Sequence, residues 1–434
     1  MISKTKLVNL LFLLGFPVYG IGTYMMFDPS FSWTSGLFFS TLPFLAIIVF
    51  HVLDMVHQGR VTPHVNGVFW ICLAALLSLD GSLLLGLRNN SPVLTPANSA
   101  VLAIQFTTPF LAAVIVQVYN RAEDGFDWAA MILKGLLIFV AVNLLGVGAG
   151  LHNKLHSFEG RISMPFMLGI YEAAHILSFL NLLLLFRLRD FDRKPLQFMG
   201  YLGLYLVNMA VIMSVNSRLS FMIFFVVTVL FVTKIARAAR GLYAISIFTM
   251  PLMMSFALLI YEILSLPFFT AILSRVDKKD VTTFNGRTYI WESAWDWVTQ
   301  DQRGLIFGNG YNGQYRLRML EHVAKLWNEP SSYNLHMHSA FLEIVVNQGL
   351  VGLGLMYLVY WHAYKNYRRE YVNNTAMAPL YGGLVYLLFV WQIDITGFGY
   401  FLGFMMLFQL MAPFCIRSSS LTYRRKDLAG NWLS

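Results

Sequence analysis

Long runs of apolar residues, separated by short polar stretches, recur along most of this chain. A helix needs about 20 consecutive apolar residues to cross the roughly 30 Å hydrocarbon layer of a membrane. Twelve runs approach or exceed that length: 7–27, 33–53, 66–88, 97–119, 128–150, 163–186, 196–214, 219–233, 241–266, 338–363, 377–393 and 398–416. The eighth run is short and the last two are barely separated, so the pattern predicts eleven or twelve spans.

Runs of this length fold as helices, because backbone groups in hydrocarbon must be satisfied within their own segment. Only 12% of the 434 residues are charged, about half the fraction of a soluble globular chain. We therefore predict an all-α, polytopic integral membrane protein, with a single membrane domain over residues 1–434. Its spans fall within 7–266 and 338–416, and one long polar loop, 267–337, carries short helices between spans nine and ten.

The distribution of Lys and Arg predicts how the spans are oriented. With a cytoplasmic N-terminus, 18 of the 31 Lys and Arg residues fall in cytoplasmic loops. The short loops on the other side hold four: Arg88, Lys154, Arg161 and Arg218. Because cytoplasmic loops are rich in positive charge, we expect both termini inside and the long loop outside. The net charge of +9 is then explained by topology, and we expect a bilayer and no nucleic acid as partner.

The loops and cysteines exclude several classes of function. Loops predicted to be cytoplasmic run to about 7–13 residues, too few for a nucleotide-binding domain. This excludes an ATP-driven pump and a sugar-nucleotide enzyme with its own catalytic domain. Cys72 and Cys415 are the only cysteines and both lie in apolar runs, so the chain offers neither a disulfide framework nor a cysteine metal site.

The long loop has a helical pattern of its own. Apolar residues recur at the spacing of one helix face: Trp291, Ala294, Trp295 and Val298. The pattern predicts a helix over 286–299, a turn at the glycine-rich 308–313 and a second helix over 315–326. We expect both helices to lie at the membrane surface, with their tryptophans at the interface.

Five residues near the predicted outer surface could carry chemistry: Arg218, Arg287, His336, His338 and Glu343. An arginine forks onto phosphate oxygens and keeps its charge. A histidine titrates near neutrality and can take a proton from an attacking hydroxyl. A diphosphate leaving group needs charge stabilisation rather than protonation, so arginines plus a histidine suffice to transfer a group from a lipid diphosphate.

Each of these residues also has a plainer explanation. From spacing alone, Arg218 is explained slightly better as an interfacial snorkelling residue. Arg287 is explained equally well as the start of a solvated helix face. The pair His336 and His338 resembles a metal site, but His322 is the only nearby third ligand and no carboxylate cluster surrounds it. We therefore expect neither a metal nor a cofactor.

Ionisable residues inside the spans support a different class of function. They are Asp80, Lys134, Glu172 and His175. Such groups are costly in a membrane and often mark a substrate or proton path, and Glu172 and His175 are spaced to pair on one helix. A transporter of lipid-linked glycans would make them central and the long loop dispensable. The chain shows no two related halves of the kind common in transporters.

Ordered motifs in the C-terminal half resemble a known family. They are Gly286-Arg287-Thr-x-x-Trp291, Gly308-x-Gly310, His338-x-x-x-Leu342-Glu343 and Gln348-Gly-Leu-Val-Gly352. Together with the upstream Arg218 they are similar to the signature of the O-antigen ligase and polymerase superfamily, over about residues 210–360. One departure is Ser339, which stands where the family usually has Asn.

The resemblance implies a metal-independent, inverting glycosyltransferase of the bacterial inner membrane, with a periplasmic site. It would take a glycan from undecaprenyl diphosphate and pass it to an acceptor sugar hydroxyl in O-antigen, lipopolysaccharide or exopolysaccharide biosynthesis. By that similarity His338 would activate the acceptor, and Arg218 and Arg287 would hold the diphosphate. We expect supporting roles for His336, Glu343 and Trp291. The acceptor would be another lipid-linked glycan in a polymerase, towards which the motifs lean, or lipid A-core in a ligase. Transfer to protein is a third branch.

Overall fold

A computed structural model describes residues 3–58, 65–92, 94–120, 126–154, 162–189, 195–215, 217–238, 241–242, 287–333, 335–373, 375–395 and 402–415. Within these residues the elements are helices and no β-strand element occurs. The predicted all-α class is therefore confirmed. Nearly all of predicted span nine, 241–266, lies outside the described residues, as does the first part of the long loop, 267–286.

Seven long helices form the first half of the chain: α1 (Lys4–Phe27), α2 (Trp33–Gln58), α3 (Gly67–Gly86), α4 (Pro96–Tyr119), α5 (Trp128–Gly148), α6 (Gly169–Arg189) and α7 (Pro195–Val215). All seven are long and apolar enough to cross a membrane. The shorter α8 (Arg218–Val232) and α9 (Ile235–Ala238) follow. Predicted span six starts too early, because residues 163–168 are not helical and α6 begins only at Gly169.

The described residues of the second half contain four helices in the loop and three in the bundle. The loop helices are α10 (Arg287–Gln300), α11 (Gln302–Phe307), α12 (Gly313–Arg316) and α13 (Glu321–Leu326), and the bundle helices are α14 (Ala340–Asn373), α15 (Ala378–Ile393) and α16 (Leu402–Met411). The expectation of one continuous helix over 315–326 is wrong. Arg318 has a left-handed backbone with φ of +56°, which separates α12 from α13.

Eight helices among the described residues are long and apolar enough to span a membrane, and three more are apolar but shorter. The multi-pass architecture predicted from the apolar runs is therefore confirmed. α1 packs against α2, α4 and α5, while α6 packs against α7, α8 and α15. α14 packs against α3, α11 and α15, which joins the two halves of the chain.

We call the end of the bundle at which α6, α8 and α14 begin the loop end, because the described part of the long loop lies there. The loop reaches this end through the amide of Tyr311, which donates to the carbonyl of Ser82 near the end of α3 (2.7 Å). At the opposite end, Lys4 pairs with Asp54. Arg218, His336, His338 and Glu343, which the sequence analysis singled out, lie at or next to the helix starts of the loop end.

Gly349 breaks α14 into two helical segments. Its backbone has φ of +72° and ψ of −172°, well outside helical values. Next to the break, the carbonyls of Val346 and Asn347 accept the amides of Asn309 (2.9 Å) and Gly310 (3.0 Å) from the loop. The glycine-rich part of the long loop is thus bonded directly to the broken helix.

The segment Gly308–Tyr311, which we call the docking segment, is also bonded to the end of α3. The side-chain amide of Asn89 donates to the carbonyls of Tyr311 (2.8 Å) and Asn309 (3.1 Å). At Gly310, where φ is +80°, a Cβ atom would lie 2.5 Å from the backbone nitrogen of Gly86. The motif Gly308-x-Gly310 therefore has a structural explanation: backbones approach too closely for a side chain.

Candidate functional site

Two buried side chains hold the backbone of Met337, immediately before His338. The indole nitrogen of Trp291 donates to the carbonyl of Met337 (3.1 Å), and the carboxylate of Glu343 accepts its amide (2.8 Å). Trp291 is only 2% exposed, so the expectation that it lies at the membrane interface is wrong. It packs inside the protein because its polar nitrogen has a backbone partner there.

Glu343 also joins the loop to the first segment of α14. Its Oε1 accepts from the side-chain amides of Gln314 (3.2 Å) and Asn347 (3.0 Å). Asn347 in turn accepts the amide of Gly313 through its Oδ1 (2.8 Å). A buried carboxylate is stable only when hydrogen bonds replace its lost water. Glu343 is therefore placed to hold the loop against the first segment of α14.

His338 has an unusual backbone conformation for a residue with a side chain. Its φ is +48°, in the left-handed region, where residues other than glycine often mark functional sites. Its amide donates to Nδ1 of His336 (3.2 Å), and the two ring centroids lie 4.1 Å apart. The ring of His336 therefore contacts both the backbone amide and the ring of His338.

Aromatic rings flank the imidazole of His338 on two further sides. The ring of Trp327, from the loop, lies 5.9 Å away, and that of Tyr171, from the start of α6, lies 6.0 Å away. His338 is 8% exposed whereas Tyr171 is 37% exposed. The imidazole thus lies in a largely water-excluded place, where electrostatic interactions are stronger than in water.

Asp394 is the functional candidate that sequence reasoning missed. It follows the last residue of α15, is buried, and has a carboxylate oxygen within 4.8 Å of ring nitrogens of both His336 and His338. At that distance a carboxylate stabilises an imidazolium by about 3 kcal/mol, with an effective dielectric constant of about 20. The available signal was an acidic residue at the end of predicted span eleven, on the same side as His338.

The same three residues could in principle hold a metal ion. The expectation that His322 is the nearest third ligand is wrong, because Asp394 occupies that place and His322 instead contacts Ser293 (3.4 Å). One polar atom in each of two of these residues takes part in a hydrogen bond. Nδ1 of His336 accepts the amide of His338, and Oδ1 of Asp394 accepts the amide of Ile395 (2.8 Å).

A buried polar network continues from Asp394 into the bundle. Oδ2 of Asp394 lies 3.0 Å from Nε2 of His175 on α6. Nδ1 of His175 lies 3.0 Å from the hydroxyl of Ser220 on α8, which is 3.1 Å from the hydroxyl of Ser217. His175, which sequence analysis considered as a transport residue, therefore adjoins the candidate site.

The two predicted phosphate-binding arginines both begin helices at the loop end, and their side chains lie outside the described part of the structure. Arg218 is the first residue of α8 and follows Ser217 directly. Arg287 is the first residue of α10, one helical turn before Trp291. Arg218 therefore adjoins Ser217, which is bonded through Ser220 to His175. Arg287 lies on the helix whose Trp291 bonds to Met337, directly before His338.

Sequence comparison adds an independent observation. Residues 202–357 match the model of a family described as O-antigen ligase. The similarity is to the O-antigen ligase family. The resemblance inferred from the motifs is thereby confirmed, and the matched region contains Arg218, Arg287 and His338 together with the break at Gly349. Asp394 and His175 lie outside the O-antigen ligase match and are linked to it by the fold.

A curated relative is also similar to part of the chain. Over 81 residues the chain is 32% identical to the exopolysaccharide production protein ExoQ of Rhizobium meliloti (strain 1021). This match covers 18% of the chain, and the chain spans only 18% of the length of that relative. With the O-antigen ligase match, it supports a function in membrane polysaccharide biosynthesis.

Proposed function

We propose that this protein transfers a glycan from undecaprenyl diphosphate to an acceptor sugar hydroxyl, at the periplasmic face of the bacterial inner membrane. The observation that carries the proposal is the imidazole of His338, held in a strained backbone with the Asp394 carboxylate within 4.8 Å. An imidazole beside a buried carboxylate is suited to act as a general base. Its location in the region similar to O-antigen ligases supports the choice of substrate class.

In the proposed reaction, the acceptor oxygen attacks the anomeric carbon while His338 takes the hydroxyl proton. The bond from the anomeric carbon to the diphosphate oxygen breaks, and attack from the opposite face inverts the configuration. Asp394 stabilises the imidazolium that forms on His338. Arg218 and Arg287 bind the diphosphate, whose negative charge increases as it leaves.

Replacing Arg218 or Arg287 by lysine tests the proposed diphosphate site. Lysine keeps the charge but loses the fork that binds two phosphate oxygens, so we expect transfer to fall about 10- to 100-fold in each variant. The measurement is glycan transfer by purified protein with a lipid-diphosphate donor. Arg316→Lys is the matched control, because Arg316 is exposed at the end of α12, and it should keep the wild-type rate. Full activity of both test variants would contradict the diphosphate site and would support the alternative that both arginines are ordinary surface residues.

Metal independence is part of the proposal, because charge on the leaving diphosphate is balanced by arginines rather than by a cation. We expect a strong chelator of divalent metals to leave the transfer rate of purified protein unchanged. The control is a metal-dependent glycosyltransferase treated in parallel, which should lose activity. Inhibition that is reversed by adding back a divalent metal would instead assign a metal to His336, His338 and Asp394.

The acceptor distinguishes two candidate functions, which deletion of the gene can separate. The form of the motifs favours a polymerase, whereas the description of the matching family favours a ligase. We expect a deletion strain to lose long glycan chains while single repeats remain on the lipid core, seen on a gel of cell-envelope glycans. Loss of all glycan from the core, with polymer accumulating on the lipid carrier, would identify a ligase. Restoration by the wild-type gene is the control.

A further inference from the structure

Asp394 is held on several sides, and one of its partners, His175, has no role in the proposed reaction. Its carbonyl accepts the amide of Ala340 (3.0 Å), and its Oδ1 accepts the amide of Ile395. Its Oδ2 is bonded to Nε2 of His175 at 3.0 Å. The two backbone contacts fix the main chain and one carboxylate oxygen, and His175 contacts the other oxygen.

The imidazole of His175 is itself oriented by α8 and α15. Its Nδ1 lies 3.0 Å from the hydroxyl of Ser220 and 3.3 Å from the hydroxyl of Tyr386. With Nδ1 accepting from a hydroxyl, Nε2 carries the proton and donates to Asp394. The ring therefore has a defined orientation between the two groups.

We propose that His175 is a positioning residue for glycan transfer, which holds the Asp394 carboxylate towards His338. The inference rests on the proposed function, since it assigns His175 a role through the partner of the proposed base. A donor on Oδ2 limits rotation of the carboxylate and keeps a buried acidic group hydrogen-bonded. Without His175, Asp394 would still lie near His338, but its Oδ2 would lose a donor that limits its rotation.

The network also joins the two sides of the proposed site. Ser220 bonds to Ser217, and Ser217 directly precedes Arg218 at the start of α8. The chain of contacts therefore runs from the helix that begins with a proposed diphosphate ligand, through His175, to the carboxylate beside the proposed base. A positioning role of His175 explains why a histidine, which can bond at both ring nitrogens, lies between α8 and Asp394.

The test compares His175→Leu with His175→Gln in purified protein, using a lipid-diphosphate donor and a sugar acceptor. Leucine removes the donor to Asp394, so we expect kcat to fall about 10- to 100-fold while both KM values change less than about twofold. Glutamine offers a side-chain amide donor, so it should recover much of the lost kcat. This partial rescue separates positioning from simple packing, which leucine would preserve.

A histidine far from the candidate site serves as the control. His51→Leu is the matched histidine substitution, since His51 lies on α2, about 27 Å from its start near the loop end, and contacts Tyr119. It should not change kcat. If His175→Leu does not fold, Ser220→Ala combined with Tyr386→Phe removes both hydroxyl contacts of the His175 ring and should lower kcat in the same direction.

Different results would overturn the two proposals. If His338→Ala loses transfer but His175→Leu keeps the wild-type kcat, the positioning role is wrong and the proposed function stands. Equal loss in His175→Leu and His175→Gln, together with lower melting temperatures, would make His175 a structural residue only. If His338→Ala still transfers glycan at the wild-type rate, the proposed function itself fails.

Discussion

Replacing His338 with alanine should lower glycan transfer by about 10³-fold or more, while expression and membrane insertion stay near normal. General base catalysis contributes about 10²- to 10⁴-fold, and the variant also loses the imidazolium that Asp394 would stabilise. The measurement is the initial rate of transfer from a lipid-diphosphate glycan by purified protein. A wild-type rate in this variant would show that His338 is not the base.

Two companion variants make the His338 result specific. His338 has a left-handed backbone, which asparagine tolerates better than alanine does, so His338→Asn removes the base with less strain. It should be as inactive as His338→Ala and melt near the wild-type temperature. His322→Ala, in the same loop but exposed, should keep full activity. Recovery of activity in His338→Asn would point to backbone strain, rather than the lost imidazole, as the cause of the alanine defect.

Replacing Gly349 with alanine should destabilise the protein by about 2–5 kcal/mol. This figure adds the cost of a left-handed backbone at a residue with a Cβ atom to the cost of overpacking. A Cβ atom there would lie 2.3 Å from the carbonyl oxygen of Ile306 and 2.5 Å from the backbone nitrogen of Gly308. Both are backbone atoms, so they cannot move aside without shifting the loop. Thermal unfolding in detergent should show a lower melting temperature, and activity should fall because the docking segment is displaced.

Gly354→Ala is the matched control for Gly349→Ala. Gly354 lies on the same helix, and a Cβ atom there meets nothing within 4 Å. Alanine has a higher helix propensity than glycine, so this variant should melt at the wild-type temperature or slightly above it. If both variants melted alike, the break in α14 would not be required for stability.

The apolar runs were sufficient to predict the fold class and most helices of the bundle. Their information is local, since length and composition alone decide whether a segment can cross a membrane. Predictions from the local sequence pattern were wrong where tertiary contacts determine the backbone conformation. The start of predicted span six is not helical, and the apolar run of span ten contains a break at Gly349 that depends on bonds to the loop.

The candidate site was predicted only in part, for the same reason. His338 could be selected because it lies beside other polar residues at the end of a long loop. The sequence could not show that Asp394 and His175 belong to the same site as His338. These two residues are 219 positions apart and meet only because α6 packs against α15. The hydrogen bond from Trp291 to Met337 could not be predicted either, because a stripe of apolar residues does not show which indole bonds to a backbone carbonyl.

The docking segment has a consequence for how such proteins can diverge. The loop is bonded to the bundle at Tyr311, Gly313 and Gln314 on one side of α13 and at Met337 on the other, so α13 lies in an insert between fixed anchors. Changes on the exposed surface of α13, away from Trp327 and His336, could reshape what the proposed acceptor meets without altering the contacts of His338. Related proteins could thus acquire new acceptors by varying one cassette, while the reactive centre is inherited unchanged.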